Sequence, residues 1–188
     1  CEERKFEKKV VDGVEIQKVG TSYEVINYHG NRHKAVVVGI DRRWDLCLLQ
    51  VKGVPRKYKA VPIAAVGPKR GVKYYNLAAP KGLFGRGMVL TFDGYYSGNF
   101  MNGYDTYTIT TKPGSSGSAI LNKDGEIVGV IFAGFPAVEN VGLSPVFASI
   151  SIFVSKAYAH GELKLWQLYN RNVDITETTT QVPKLKSP

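Results

Sequence analysis

A short run in the second half of the chain, Thr111-Lys112-Pro113-Gly114-Ser115-Ser116-Gly117-Ser118-Ala119-Ile120, has the residue types of a nucleophile loop. Gly114 permits a turn tight enough for the N–H groups of Gly114 and Ser116 to converge on a developing oxyanion, with the Ser116 hydroxyl beside them. The chemistry this serves is acyl transfer. Gly117 leaves room for a substrate carbonyl, and Ala119-Ile120-Leu121 starts a buried strand that holds the loop from below. Alone, Gly-x-Ser-Gly is a weak signal, because small residues crowd ordinary turns. A second element is Asp45, in Asp41-Arg42-Arg43-Trp44-Asp45-Leu46-Cys47-Leu48-Leu49-Gln50-Val51. A carboxylate at the mouth of an apolar strand is costly to bury unless a neighbour uses it. In a catalytic triad such an aspartate accepts the Nδ1–H of a histidine and stabilises the imidazolium; taken without Ser116, Asp45 reads better as a turn aspartate after two arginines.

The elements that must position these residues read mostly as strands. Val14 to Lys18, Ser22 to Tyr28, Lys34 to Ile40 and Leu46 to Val51 alternate or run apolar between Gly, Asn and Asp, and form a first β unit over 1–52. A basic, proline-marked connector over 53–70 leads to a second unit, 71–153. Its strands fall at Gly71 to Ala78, Gly87 to Phe92, Tyr104 to Thr110, Ser118 to Leu121, Glu126 to Ala133 and Ser144 to Ser149. Apolar Val154, Tyr158, Leu165 and Leu168 predict a helix over 154–170, interrupted near Gly161. From 171 to 188 the chain lacks periodicity and reads as a disordered tail.

Composition bounds the class. With 188 residues, 44% of them hydrophobic, and 20 glycines, the chain can bury two small β units. No apolar run approaches the ~20 residues that span a bilayer, and no Cys/His cluster has the spacing of a metal site. Two cysteines make no disulfide framework; Cys47 reads as a small core residue, and Cys1 as a lipidated first residue or an accident of preparation, with a third reading given by the resemblance below. The formal charge is +9, and 46–92 holds nine Lys or Arg with no Asp or Glu. Arg56, Lys57, Lys59, Lys69 and Arg70 could neutralise nucleic-acid phosphates, or simply form a solvated face.

Ordered along the chain, these motifs resemble the trypsin-like serine peptidases, closest in flavour to the disulfide-free bacterial high-temperature-requirement proteases and their viral and phage relatives. Ala35 to Leu49 is similar to the family segment that carries the triad aspartate, Asp45 here. Ala79-Pro80-Lys81-Gly82-Leu83-Phe84 with Gly87-Met88-Val89 resembles its glycine-rich hairpin, and Pro113 to Ser118 with Asp124 to Val130 its nucleophile loop and following hairpin. Ser115 and Ser118 stand where Asp or Asn and Gly are commoner. The resemblance implies an all-β fold of two six-stranded antiparallel barrels with a C-terminal helix, and a cofactor-free serine endopeptidase acting through an acyl-enzyme. It also implies Ser116 as nucleophile, Asp45 as orienting acid, and Gly114 and Ser116 as oxyanion donors. Thr110 and Thr111 would line the S1 pocket, and Phe132-Ala133-Gly134 would pair with a protein or polyprotein substrate. A small or apolar P1 residue fits best, because Ile131 replaces the glutamine-reading histidine of picornavirus-type peptidases and no aspartate lies six residues before Ser116.

The histidine is the departure. His29 and His33 flank the turn Gly30-Asn31-Arg32, and at ~3.3 Å per residue the strand to Asp45 holds them roughly 20 Å away. His160 falls in the C-terminal helical stretch. Two explanations stand. The resemblance implies either that the base lies just upstream of Cys1, as a cysteine directly follows the histidine in many trypsin-like enzymes, and the first barrel lacks its N-terminal hairpin; or that Val10-Val11-Asp12-Gly13 follows Lys9 as the same motif follows the family's histidine, giving an inactive binding or structural protein. The first is preferred, because a substituted site would still need its barrel. Localisation depends on origin: a host cytoplasm for a viral or phage protein, the bacterial envelope if Cys1 is lipidated.

Overall fold

Strand alternation with a period of two residues builds most of this chain. The computed structural model describes residues 7–11, 14–18, 23–51, 53–54, 58–100, 103–135 and 137–159. The first sheet holds β1 (Glu7–Val11), β2 (Val14–Lys18), β3 (Tyr23–Ile26), β4 (Arg32–Asp41) and β5 (Leu46–Val51). Its order is β1-β2-β4-β3, with β5 also paired to β4. A bulge between Val37 and Gly39 shifts the β4–β5 register, so Val37 and Val38, adjacent in sequence, are both buried.

The second sheet holds β6 (Lys73–Ala78), β7 (Leu90–Phe100), β8 (Tyr104–Tyr107), β9 (Ala119–Leu121), β10 (Ile127–Val130), β11 (Ala133–Gly134) and β12 (Gly142–Pro145). Their order is β10-β9-β6-β7-β8-β12-β11, which leaves β11 at an edge. On β6 the inward residues are Tyr74, Asn76 and Ala78, and the outward ones Lys73, Tyr75 and Leu77. Long β7 pairs with β6 up to Tyr95 and with β8 from Tyr96, where a bulge at Tyr96/Gly98 turns it. Tyr74, Tyr107, Ile109, Ile120, Val128 and Ile131 pack together as the core beneath the loop at Gly114 to Ser118.

Helix α1 (Phe147–Ala159) joins the two units. Ile150, Phe153, Val154 and Ala157 fall at helical spacing on one face. Ile150, Phe153 and Val154 pack with Leu46, Leu48 and Val130, and Ala157 packs with Val36, Val38 and Leu48. Its first turn is capped from afar: the buried Asp105 carboxylate on β8 accepts the Phe147 N–H at 2.9 Å and the Tyr96 hydroxyl at 2.8 Å.

The all-β architecture with a C-terminal helix agrees with the sequence reading, and four details differ. Neither hydrogen-bonded sheet path closes on itself among the described residues, so the expected six-stranded barrels are open sheets. Glu7 to Val11, placed before the first strand by its charged residues, pairs with β2 as a hairpin, because backbone pairing does not require apolar side chains. The stretch read as a strand over Ser144 to Ser149 ends at Pro145, and the helix begins at Phe147 where Asp105 caps it. Cys47 is exposed rather than in the core, since β5 alternates and buries Leu46 instead. The tail and the second half of the expected helix, His160 included, lie outside the described residues.

Candidate active site

Gly114 has φ +95°, a region that L side chains avoid, and a Cβ there would lie 2.8 Å from Lys81 N and 2.9 Å from Ala79 O. The loop is therefore seated against the turn at Pro80–Gly82, whose Lys81 N–H donates to Pro113 O at 2.6 Å. Ser115 is buried and donates its N–H to Lys112 O at 2.9 Å, while its Oγ accepts the Lys112 N–H at 3.3 Å. Gly117 N–H donates to Ile131 O at 2.7 Å and Ile131 N–H to Ser118 O at 2.9 Å, extending the β9–β10 pairing into the loop. Gly114 N–H and Ser116 N–H donate to no group among the described residues. Two backbone donors are thus left for a ligand oxygen.

Ser116 is exposed, and its hydroxyl donates to the Phe132 carbonyl at 2.9 Å. Phe132 leads into β11, which pairs with β12 on one side and with no strand on the other among the described residues. A cleft of about 300 Å³ opens beside Ser116, lined by Thr111, Lys112, Pro113, Ser115, Ile131, Ala133, Gly134 and Phe135. Gly134 is pressed so close to Thr111 Oγ1 that any side chain there would meet it. Thr110 stands outside this lining and donates its hydroxyl to Asn140 Oδ1 at 2.9 Å.

Asp45 sits in the turn between β4 and β5, exposed, with φ 52°. That corrects the premise of a buried carboxylate: Asp41 Oδ1 caps the turn through the N–H groups of Arg43 and Trp44, which leaves Asp45 to face outward. The turn is still linked toward Ser116 by ring contacts. The Trp44 ring meets Tyr104 edge-on at 6.2 Å, and Tyr104 lies 5.0 Å from Phe132, the residue whose carbonyl holds Ser116.

Neither described histidine is at the cleft. The His33 ring is 3.1 Å from Asn27 Nδ2, and His29 lies in the β3–β4 turn, 6.3 Å from the Tyr58 ring. Of the basic residues, Lys59, Lys69 and Arg70 are exposed, whereas Arg56 and Lys57 lie outside the described residues; Lys73 of the same block is paired with Asp93 at 2.9 Å. Among the described residues no group of three or more His, Cys, Asp or Glu could hold a metal, and no helix is long and apolar enough to cross a membrane. Sequence reading passes over Asn76. Its signal is a polar residue on the inward face of an alternating strand: it is fully buried, with Nδ2 donating to Ser118 Oγ and Ala119 O, both at 2.8 Å.

The site thus joins an exposed serine on a tight glycine loop to two backbone N–H groups with no partner among the described residues and to the strand that follows Phe132. Residues 8–130 match the family of trypsin-like peptidase domains, and the chain belongs to that family. It is similar to the Serine protease Do-like HtrA of Lactococcus lactis subsp. lactis, at 27% identity over 90% of this chain and 50% of that protein. The corresponding protein of subsp. cremoris is 26% identical over the same shares. The chain thus spans about half the length of these relatives. Its fold is similar to the crystal structure of the serine endoprotease from Yersinia pestis, with TM-score 0.62 and 22% identity over 74% of this chain and 50% of that one. A structure of Rv3671c from M. tuberculosis, an inactive mutant form, gives TM-score 0.56 and 20% identity over 71% and 69%. All four come from bacteria, and the viral flavour read from sequence has no counterpart among them.

Proposed function

We propose that this chain carries the nucleophile and the orienting acid of a serine endopeptidase. Ser116 attacks the scissile carbonyl and becomes acylated, the N–H groups of Gly114 and Ser116 hold the oxyanion, and a histidine preceding Cys1 acts as base, oriented by Asp45. Phe132, Ala133 and Gly134 offer the open edge of β11 to an extended peptide, and Thr111 bounds the P1 cleft with Thr110 behind it. The apolar lining supports a small or apolar P1 residue.

One observation carries the reading: an exposed serine hydroxyl on the carbonyl of an edge strand, beside two backbone N–H groups that have no partner among the described residues. Membership of the trypsin-like family supports it. The test is fluorophosphonate labelling of the natural-length protein. Ser116→Ala should abolish labelling, as loss of a nucleophile costs about 10⁶-fold in serine proteases. Equal labelling of that variant would overturn the assignment.

A further inference from the structure

We propose that Asn76 and Ser118 form a positioning relay that fixes the Ser115–Ser116 peptide, and with it the Ser116 N–H; the proposal rests on the reading of Ser116 as nucleophile. The chemistry of the donors decides the direction of every bond. The Asn76 amide faces Ser118 Oγ and Ala119 O at 2.8 Å each. A backbone carbonyl only accepts, so the nitrogen end of the amide must face that way, and Asn76 Oδ1 is left buried without a partner. Because Ser118 Oγ accepts from Asn76, its own proton is committed elsewhere: it goes to Ser115 O at 2.6 Å. Ser115 O also accepts the Ser118 N–H at 3.1 Å.

Ser115 O and Ser116 N–H belong to one planar trans peptide and point in opposite directions. Two bonds that draw the oxygen inward therefore aim the N–H outward, to the side where the Ser116 hydroxyl stands. They also polarise the peptide, which makes its N–H a better donor. A glycine at 118, commoner in the resembling family, would keep only the backbone bond. The side-chain relay is thus a feature of this chain's own residues, and an oxyanion donor is useful in proportion to how firmly it is held before charge develops.

The test uses ¹⁵N relaxation of the chain as it stands, with fluorophosphonate labelling of the natural-length protein in parallel. In the parent the Ser116 amide should have an order parameter of about 0.85, falling below about 0.6 in Ser118→Gly and Asn76→Ala, while Ser118→Thr, which keeps the hydroxyl, stays rigid. Labelling should fall about tenfold in the two loosened variants, less than the about 10²–10³-fold that follows outright loss of an oxyanion donor. Double replacement should cost no more than either single one, because both break the same relay. Should Asn76→Ala not fold, Ser118→Gly alone decides. A Ser116 amide as rigid in Ser118→Gly as in the parent overturns the relay, and a loosened amide with undiminished labelling overturns its service to the reaction. Undiminished labelling of Ser116→Ala would instead defeat the nucleophile assignment, and the amide measurement would still judge the relay.

Discussion

Around Ser116 the backbone is tied to β10, to the Pro80–Gly82 turn and to buried Asn76, whereas Asp45 stands exposed in the left-handed region and makes no hydrogen bond with the described residues. The contrast is between a loop held by its own fold and an exposed carboxylate that none of the described residues holds. Loop strain at Gly114 is absorbed locally, since glycine has no Cβ to clash. At Asp45 the chain holds a non-glycine residue in a costly conformation without a visible return, which is the kind of outlier that marks functional positions. The aromatic series Trp44, Tyr104, Phe132 packs the two regions toward one another.

The strongest way to break this comparison is to set the two regions against each other in the natural-length protein. Asp45→Asn should lower the labelling rate by about 10⁴-fold, the cost seen when a triad histidine loses its orienting carboxylate. Gly114→Ala should cost less, about 10²–10³-fold, through displacement of one oxyanion donor by contact with Lys81 N and Ala79 O. An Asp45→Asn variant that labels within a few-fold of the parent would show that the exposed turn plays no part, and the acid of the triad would have to be sought elsewhere.

A smaller effect sharpens the same comparison through stability. At φ 52°, Asp45 occupies a region that glycine enters freely, while alanine meets a steric cost of about 1 kcal/mol. Urea denaturation should therefore place Asp45→Gly above Asp45→Ala by about that amount, even though both lose the carboxylate. If the two variants melt together, the left-handed turn is not held in solution and the strain argument fails.

How much of this was legible in sequence depends on distance along the chain. The tight loop at Gly114 and the strand after it could be read because turn glycine, serine and strand lie within ten residues, whereas the Phe132 to Gly134 segment was reached only through the family resemblance. Asp45 could be found but not its exposure, because alternation says which residues face inward on a strand and nothing of φ in the preceding turn. Helix α1 was displaced because its cap, Asp105, is 42 residues from the N–H that it holds. Asn76 reaches Ser118 across the same separation, 42 residues, so only the β6–β9 pairing brings the relay together. The first strand was hidden by Glu7, Lys8 and Lys9, whose polarity masks a backbone competent to pair.

The gentlest prediction concerns the second sheet, where Tyr96 anchors Asp105 beneath the start of α1. Burial, then the hydrogen bond to Asp105 and the charge of that carboxylate, pushes the Tyr96 phenol up to about 12, against about 10 in an unfolded chain. The folded state thus holds this proton more tightly. Stability from it is fully present below about pH 10 and drains away as pH rises through about 12. Tyr107, pushed up chiefly by burial, acts with the same sign, as do Lys73 and Lys123 beside Asp93 and Asp124. Urea midpoints should be level from about pH 7 to about pH 9.5 and fall above about pH 10. Tyr96→Phe should be the less stable protein at neutral pH, having lost its bond to Asp105, yet show the shallower decline in alkali because one of the titrating groups is gone. An equally steep alkaline decline in both proteins would mean that the Tyr96 phenol is not held in this buried bond, and that Asp105 caps α1 without its help.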